Sequence, residues 1–109
     1  MQNKINYSPE ALQDLDDIGD YIAIELSNPQ AALRILNNIN DDIALLANNP
    51  LMGANLSSIT GIASDYRYLV VRKYLVFYRY SNGNIFVDRI LYGRRNYLNI
   101  LLGNAKKKP

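Results

Sequence analysis

The chain has 109 residues, a formal net charge of +2, and neither histidine nor cysteine. At this length one domain with one core is expected, since two cores would be too small to hold. Composition excludes disulfides and leaves only carboxylates as metal ligands, which nearly excludes zinc; no apolar run reaches the ~20 residues of a membrane span.

Apolar residues make up 49% and charged residues 20%, the balance of a soluble globular protein. The opening "MQNKINYSPE" lacks the charged-then-apolar build of a signal peptide, so a cytoplasmic location is expected. The small net charge hides a division along the chain. Residues 1–65 hold two basic side chains, Lys4 and Arg34, against nine acidic ones, whereas residues 66–109 hold ten basic side chains against Asp88 alone. Either the basic half meets an acidic partner, or the two halves neutralise one another within the fold.

In chain order, "KINY" alternates as a first strand. "SPEALQDLDDIGDYIAIEL" then carries a helix start, with Ser8 as N-cap, Pro9 at the first helical position and Glu10 in the first turn. Leu12, Leu15, Ile18, Ile22 and Leu26 recur every three or four residues and predict the buried stripe. Asp14, Asp16, Asp17 and Asp20 are expected on the solvated face. Asn28 and Pro29 repeat the start signal for a second helix, whose stripe is Ala32, Ile35, Leu36, Ile39, Ile43 and Leu46. Two or three residues separate the helices, so an antiparallel hairpin follows. "NNPLMG" breaks the pattern at Pro50 and Gly53.

The period then falls from about 3.6 to 2. Residues 66–71, 74–80 and 85–91 read as strands rich in Val, Ile, Phe and Tyr. Asn82-Gly83 is the signature of a tight hairpin. That turn sets Arg79 opposite Phe86 and Phe77 opposite Asp88, leaving Arg79 and Asp88 as diagonal neighbours able to pair; Arg89 points to the other face. A short helix or tail closes the chain after Gly93, packing Leu98, Leu101 and Leu102. The order β-α-α-β-β-β predicts an α+β fold, a helical hairpin on one face of a mainly antiparallel sheet.

The chemistry available is narrow. There is no nucleophile–base motif and no glycine-rich phosphate loop, so no cofactor is expected. Arginine, tyrosine and carboxylates suit either binding or the cleavage of RNA through its own 2′-hydroxyl, where the substrate supplies the nucleophile. Arg67, Arg72, Lys73, Arg94 and Arg95 have almost no local acid to pair with, and their surplus charge points to a partner.

From Asn6 to Leu102 the chain resembles toxins of the RelE/ParE superfamily from bacterial type II toxin–antitoxin modules. The resemblance rests on "YSPEALQDLDDIGDYI", "NNPLMG", the strand pair "YRYLVVRKYLVFYRY" and the ending "IFVDRILYGRRNYLNIL". It implies one toxin domain over residues 1–103, with residues 104–109 as a frayed basic tail. It also implies silencing by a cognate acidic antitoxin in a toxin–antitoxin hetero-oligomer. The strand "YLVFYR" resembles ParE-type members, which poison DNA gyrase; Leu75 stands where RelE-type strands often carry arginine. The ending "GRRNY" is closer to RelE-type members, which cut mRNA on the ribosome. For an enzyme of that kind the candidates are Arg67, Arg79, Arg94, Arg95 and Tyr97. For contacts to the target or antitoxin they are Arg67, Arg72, Lys73, Arg94 and Arg95.

Overall fold

The computed structural model describes residues 2–61, 64–93 and 100. Strand β1 (Lys4–Tyr7) leads into helix α1 (Pro9–Asp20), which runs on through a π-helical turn (Tyr21–Glu25). Helix α2 (Pro29–Leu45) follows, then a two-residue strand β2 (Ala54–Asn55) and a single-turn helix α3 (Ser57–Thr60). Strands β3 (Arg67–Val71), β4 (Tyr74–Ser81) and β5 (Asn84–Tyr92) complete the described fold.

Both long helices start where the capping residues predict. The Ser8 hydroxyl accepts from the Ala11 N–H at 2.9 Å, and the Asn28 side chain accepts from the Ala31 N–H at 3.1 Å. Ser8 also donates to the Asp88 carbonyl at 2.7 Å, so one side chain caps α1 and ties it to β5. Between the helices, Ser27 turns the chain with φ of 52°. A Cβ at Gly19 would stand 3.0 Å from Cδ1 of Leu36; glycine there lets α2 approach α1 closely.

The sheet order is β1-β5-β4-β3-β2. β1 runs parallel to β5, and the other pairings are antiparallel. The helical hairpin packs on one face around Ile39, Ile43, Val76, Tyr78, Ile85 and Val87. On the opposite face Leu56, Phe77 and Leu91 form a second cluster, against which Ile100 packs. The helix or tail expected after Gly93 otherwise lies outside the described residues, as do Leu98, Leu101, Leu102 and residues 104–109. Among the described residues no helix is long and apolar enough to cross a membrane.

The stripe predicted for α2 is the buried one; that of α1 holds at Leu15, Ile18 and Ile22 and fails at its two ends. Leu12 and Leu26 are 52% and 56% exposed, whereas Ala11 and Asp14 are buried. The inner face of α1 is set by where β5 passes beneath it, and β5 offers Arg89 and a free backbone N–H there. Asp14, expected on the solvated face, is therefore turned inward.

The Asn82-Gly83 turn forms with φ of 50° and 79°, and Arg79 lies opposite Phe86. Phe77, however, faces Arg89 rather than Asp88. A β-bulge shifts the register between Phe77 and Tyr78, leaving Asp88 as the extra residue on β5. Bulges of this kind are invisible to a count outward from the turn.

Candidate functional site

Three polar constellations tie the sheet together, and a fourth group of cations is left over. On the helix side, Asp14 accepts from Arg89 Nε and Nη2, both at 2.8 Å, and from the Ile90 N–H at 2.9 Å. The forked geometry joins α1 to the part of β5 that extends past the end of β1. The hydrogen bond to Asp14 pushes the Arg89 pKa up, so the guanidinium is charged throughout the working range.

Farther along the same face, β3 and β4 hold the loop after α2. The Tyr78 hydroxyl donates to the Pro50 carbonyl and accepts from the Gly53 N–H, each at 2.9 Å. Its cross-strand partner Arg67 donates to the Gly53 carbonyl at 2.7 Å. A Cβ on Gly53 would lie 2.6 Å from the Tyr68 carbonyl oxygen and 2.8 Å from the Tyr78 hydroxyl, so no larger residue fits. Burial pushes the Tyr78 pKa up. "NNPLMG" is thus the loop that the sheet grips from below.

On the opposite face, Asp88 Oδ2 accepts from the Tyr66 hydroxyl at 2.8 Å and from Arg79 Nε at 3.0 Å. The Arg79 guanidinium carbon lies 5.9 Å from the Tyr66 ring centre and 5.6 Å from that of Phe86, within cation–π range of both. Burial, followed by the bond to Asp88, pushes the Tyr66 pKa up to about 12. A phenol so held is a poor proton donor near neutral pH.

The fourth group is the turn between β3 and β4. Arg72 and Lys73 are exposed, and among the described residues neither has an ion pair. They line a hollow of about 760 Å³ together with Ile18, Tyr21, Ile22 and Tyr74 and the carboxylates Asp14 and Asp17.

The residues singled out by sequence therefore separate. Arg79 pairs with Asp88 as expected. Arg67 is half-buried on the helix-covered face, bound to backbone carbonyls; a search for carboxylate partners overlooks such acceptors. Arg67 and Arg79 stand on opposite faces of the sheet and do not converge. Arg72 and Lys73 stand together at the turn, while Arg94, Arg95 and Tyr97 lie outside the described residues. The sequence reading missed Asp14 and Tyr78. Nothing local marks Tyr78; for Asp14 the one signal was its place at the +3 spacing from Ala11, between Ala11 and Ile18.

A helical hairpin on one face of a five-stranded, mostly antiparallel sheet is the fold of a RelE/ParE superfamily toxin. Over residues 5–97 the chain matches the family described as ParE toxin of type II toxin-antitoxin system, parDE, and it belongs to that family. Its fold is similar to a chain of the chromosomal ParDE TA system from P. aeruginosa, at 22% identity and a TM-score of 0.70, covering 84% of this chain and 96% of that one. It is also similar to YafQ from E. coli, at 19% identity and a TM-score of 0.51, covering 84% and 93%. At these identities the likeness is one of fold. No curated protein matches the chain.

Proposed function

We propose that this type II toxin acts on DNA gyrase as a binding inhibitor with no bond-breaking chemistry of its own, and that an acidic antitoxin silences it. The observation that carries this reading is the separation of Arg67 from Arg79. An RNA-cleaving site must bring several cations onto one phosphorane. Here one guanidinium serves loop carbonyls under the helices, and the other serves Asp88 on the far face. Leu75, at a position where a ribonuclease of this superfamily often carries arginine, packs with Phe77 and Leu91. The family match over residues 5–97 supports the same reading.

Target contact is assigned to Arg94 and Arg95, which have almost no acid near them in the sequence. The antitoxin meets the basic half through carboxylates, so the complex weakens as salt rises.

The test places purified protein in two reactions: supercoiling of plasmid DNA by gyrase, and a ribosomal translation mixture with labelled mRNA. Inhibited supercoiling with intact mRNA is the expected result. Cut mRNA with unimpaired gyrase would overturn the reading in favour of a ribosome-dependent endoribonuclease.

A further inference from the structure

The turn between β3 and β4 borders a second hollow, of about 300 Å³, lined by Val70, Arg72, Lys73, Leu75, Tyr92 and Gly93. Val70 and Leu75 are cross-strand partners, and Leu75 packs with Phe77 and Leu91 on the face away from the helices. The larger hollow, on the helix face, counts Asp14 and Asp17 in its lining; no carboxylate lines the smaller one. Its charge is therefore of one sign, set beside two aliphatic side chains and a phenol.

The turn is held in place from below. The Gly93 N–H donates to the Lys73 carbonyl at 2.8 Å, and a Cβ at Gly93 would stand 3.3 Å from that oxygen. Arg72 takes φ of 58°, in the left-handed region that a residue with a Cβ disfavours. At the next hairpin the positive φ angles fall on Asn82 and Gly83, the residues suited to them. Arginine kept at a strained, exposed position, with no ion pair among the described residues, points to a contact outside the chain. Gly93 is also followed at once in sequence by Arg94 and Arg95, the cations assigned to the target.

We propose that this smaller hollow holds a stretch of duplex DNA backbone, so that the toxin meets the DNA on which gyrase works as well as the enzyme. The Arg72 guanidinium takes one phosphate through its fork, and the Lys73 ammonium takes the neighbouring phosphate as a point charge. The deoxyribose between them lies on Val70, which is 59% exposed, and on Leu75. Two cations on consecutive residues beside an apolar surface match the alternation of phosphate and sugar along a strand. Contacts of this kind fix the position of a protein on DNA and carry no base sequence. The inference rests on the reading of the chain as a gyrase inhibitor and adds a second macromolecule to it.

The test uses the full chain and a fluorescent duplex oligonucleotide, with anisotropy followed over a range of salt concentrations. The parent should bind, with affinity falling as salt rises. Arg72→Gly and Lys73→Gln should each bind several-fold more weakly to every duplex sequence and lower the logarithmic salt slope by about one. Glycine relieves the strain at position 72, so Arg72→Gly should melt no lower than the parent, which keeps lost binding apart from lost fold. Both cations border both hollows, so two further variants separate the faces. Val70→Asp, at the smaller hollow alone, should weaken binding about tenfold or more, and Tyr21→Gln, at the larger alone, should leave it unchanged. A parent that does not bind duplex at low salt would overturn the proposal, as would a slope unchanged by loss of either cation. The reverse pattern at Val70 and Tyr21 would overturn it too. Polyglutamate of equal charge bound as tightly as the duplex would assign the hollow to an acidic protein instead. Supercoiling assays read the toxin assignment separately. Equal inhibition of gyrase by the parent and by Arg72→Gly removes the DNA contact alone, whereas a parent that stops neither gyrase nor growth removes the toxin reading.

Discussion

Asp14 on α1 and Arg89 on β5, 75 positions apart in sequence, meet in a forked pair with both N–O distances at 2.8 Å. Asp14 is 6% exposed and also takes the Ile90 N–H, so three donors converge on one buried carboxylate. Removing one partner of such a pair leaves the other charge uncompensated. Asp14→Ala should therefore destabilise the fold by ~3–5 kcal/mol in denaturant titration, while Asp16→Ala or Asp17→Ala changes it by less than about 0.5 kcal/mol. Equal losses at all three positions would mean that the pair contributes nothing beyond surface charge.

The Tyr78 hydroxyl offers a cleaner deletion because phenylalanine preserves the ring. Tyr78→Phe leaves the Gly53 N–H and the Pro50 carbonyl without their partner and should cost ~1–3 kcal/mol. Gly53→Ala should be at least as damaging, because its Cβ meets the backbone oxygen of Tyr68 as well as the buried Tyr78 ring and hydroxyl. Chemical unfolding of both variants checks this, and an unchanged midpoint in either would contradict the described grip on the loop.

Tyr66 makes an alkaline prediction whose sign is fixed. Its folded pKa is raised from 10.0 to about 12, mainly by burial and next by the bond to Asp88. The folded state therefore holds a proton that the unfolded state releases, and stability contributed by Tyr66 is complete below pH 10 and falls as pH rises towards 12. Burial raises Tyr7, Tyr74 and Tyr78 in the same direction, so they too contribute stability that is lost as pH rises above 10. Tyr66→Phe should flatten part of that slope when unfolding is followed at successive alkaline pH values. A slope identical to that of the parent would show Tyr66 to titrate normally.

The corrected stripe of α1 makes a paired prediction with α2. Ile39→Ala deletes a fully buried side chain and should cost ~2–5 kcal/mol. Leu12→Ala should lie within about 0.5 kcal/mol of the parent, because that side chain is mostly in solvent. Thermal unfolding of the two variants side by side decides it; a large loss at Leu12 would return that residue to the buried stripe.

Arg94 and Arg95 are assigned to target contact, which separates toxicity from stability. Alanine at either position should relieve growth inhibition and leave the melting temperature within a few degrees, as surface changes do. Lysine should restore inhibition only in part if the guanidinium makes a forked contact. Variants as toxic as the parent, or readily unfolded, would count against the assignment.

What the sequence determined by itself was local. Helix starts at Ser8 and Asn28, the turn at Asn82-Gly83 and the stripe of α2 each depend on residues within a few positions of one another, and each stands in the structure. The pairing of Arg79 with Asp88 was legible for the same reason, since one tight turn sets their separation. Tertiary structure alone decided the parallel pairing of β1 with β5, because the partner strand lies across the whole chain. It also decided that Ala11 and Asp14, and not Leu12 and Leu26, join Ile18 and Ile22 on the buried side of the first helix. Periodicity ranks side chains by apolarity, but burial depends on what lies opposite, and Arg89 together with a free strand edge makes Asp14 the better inner residue. The bulge at Asp88 and the use of Arg67 to hold carbonyls of the loop at Gly53 belong to the same class. Backbone acceptors are present at every residue and so leave no mark in a sequence; only the folded path of the chain selects which of them a guanidinium can reach.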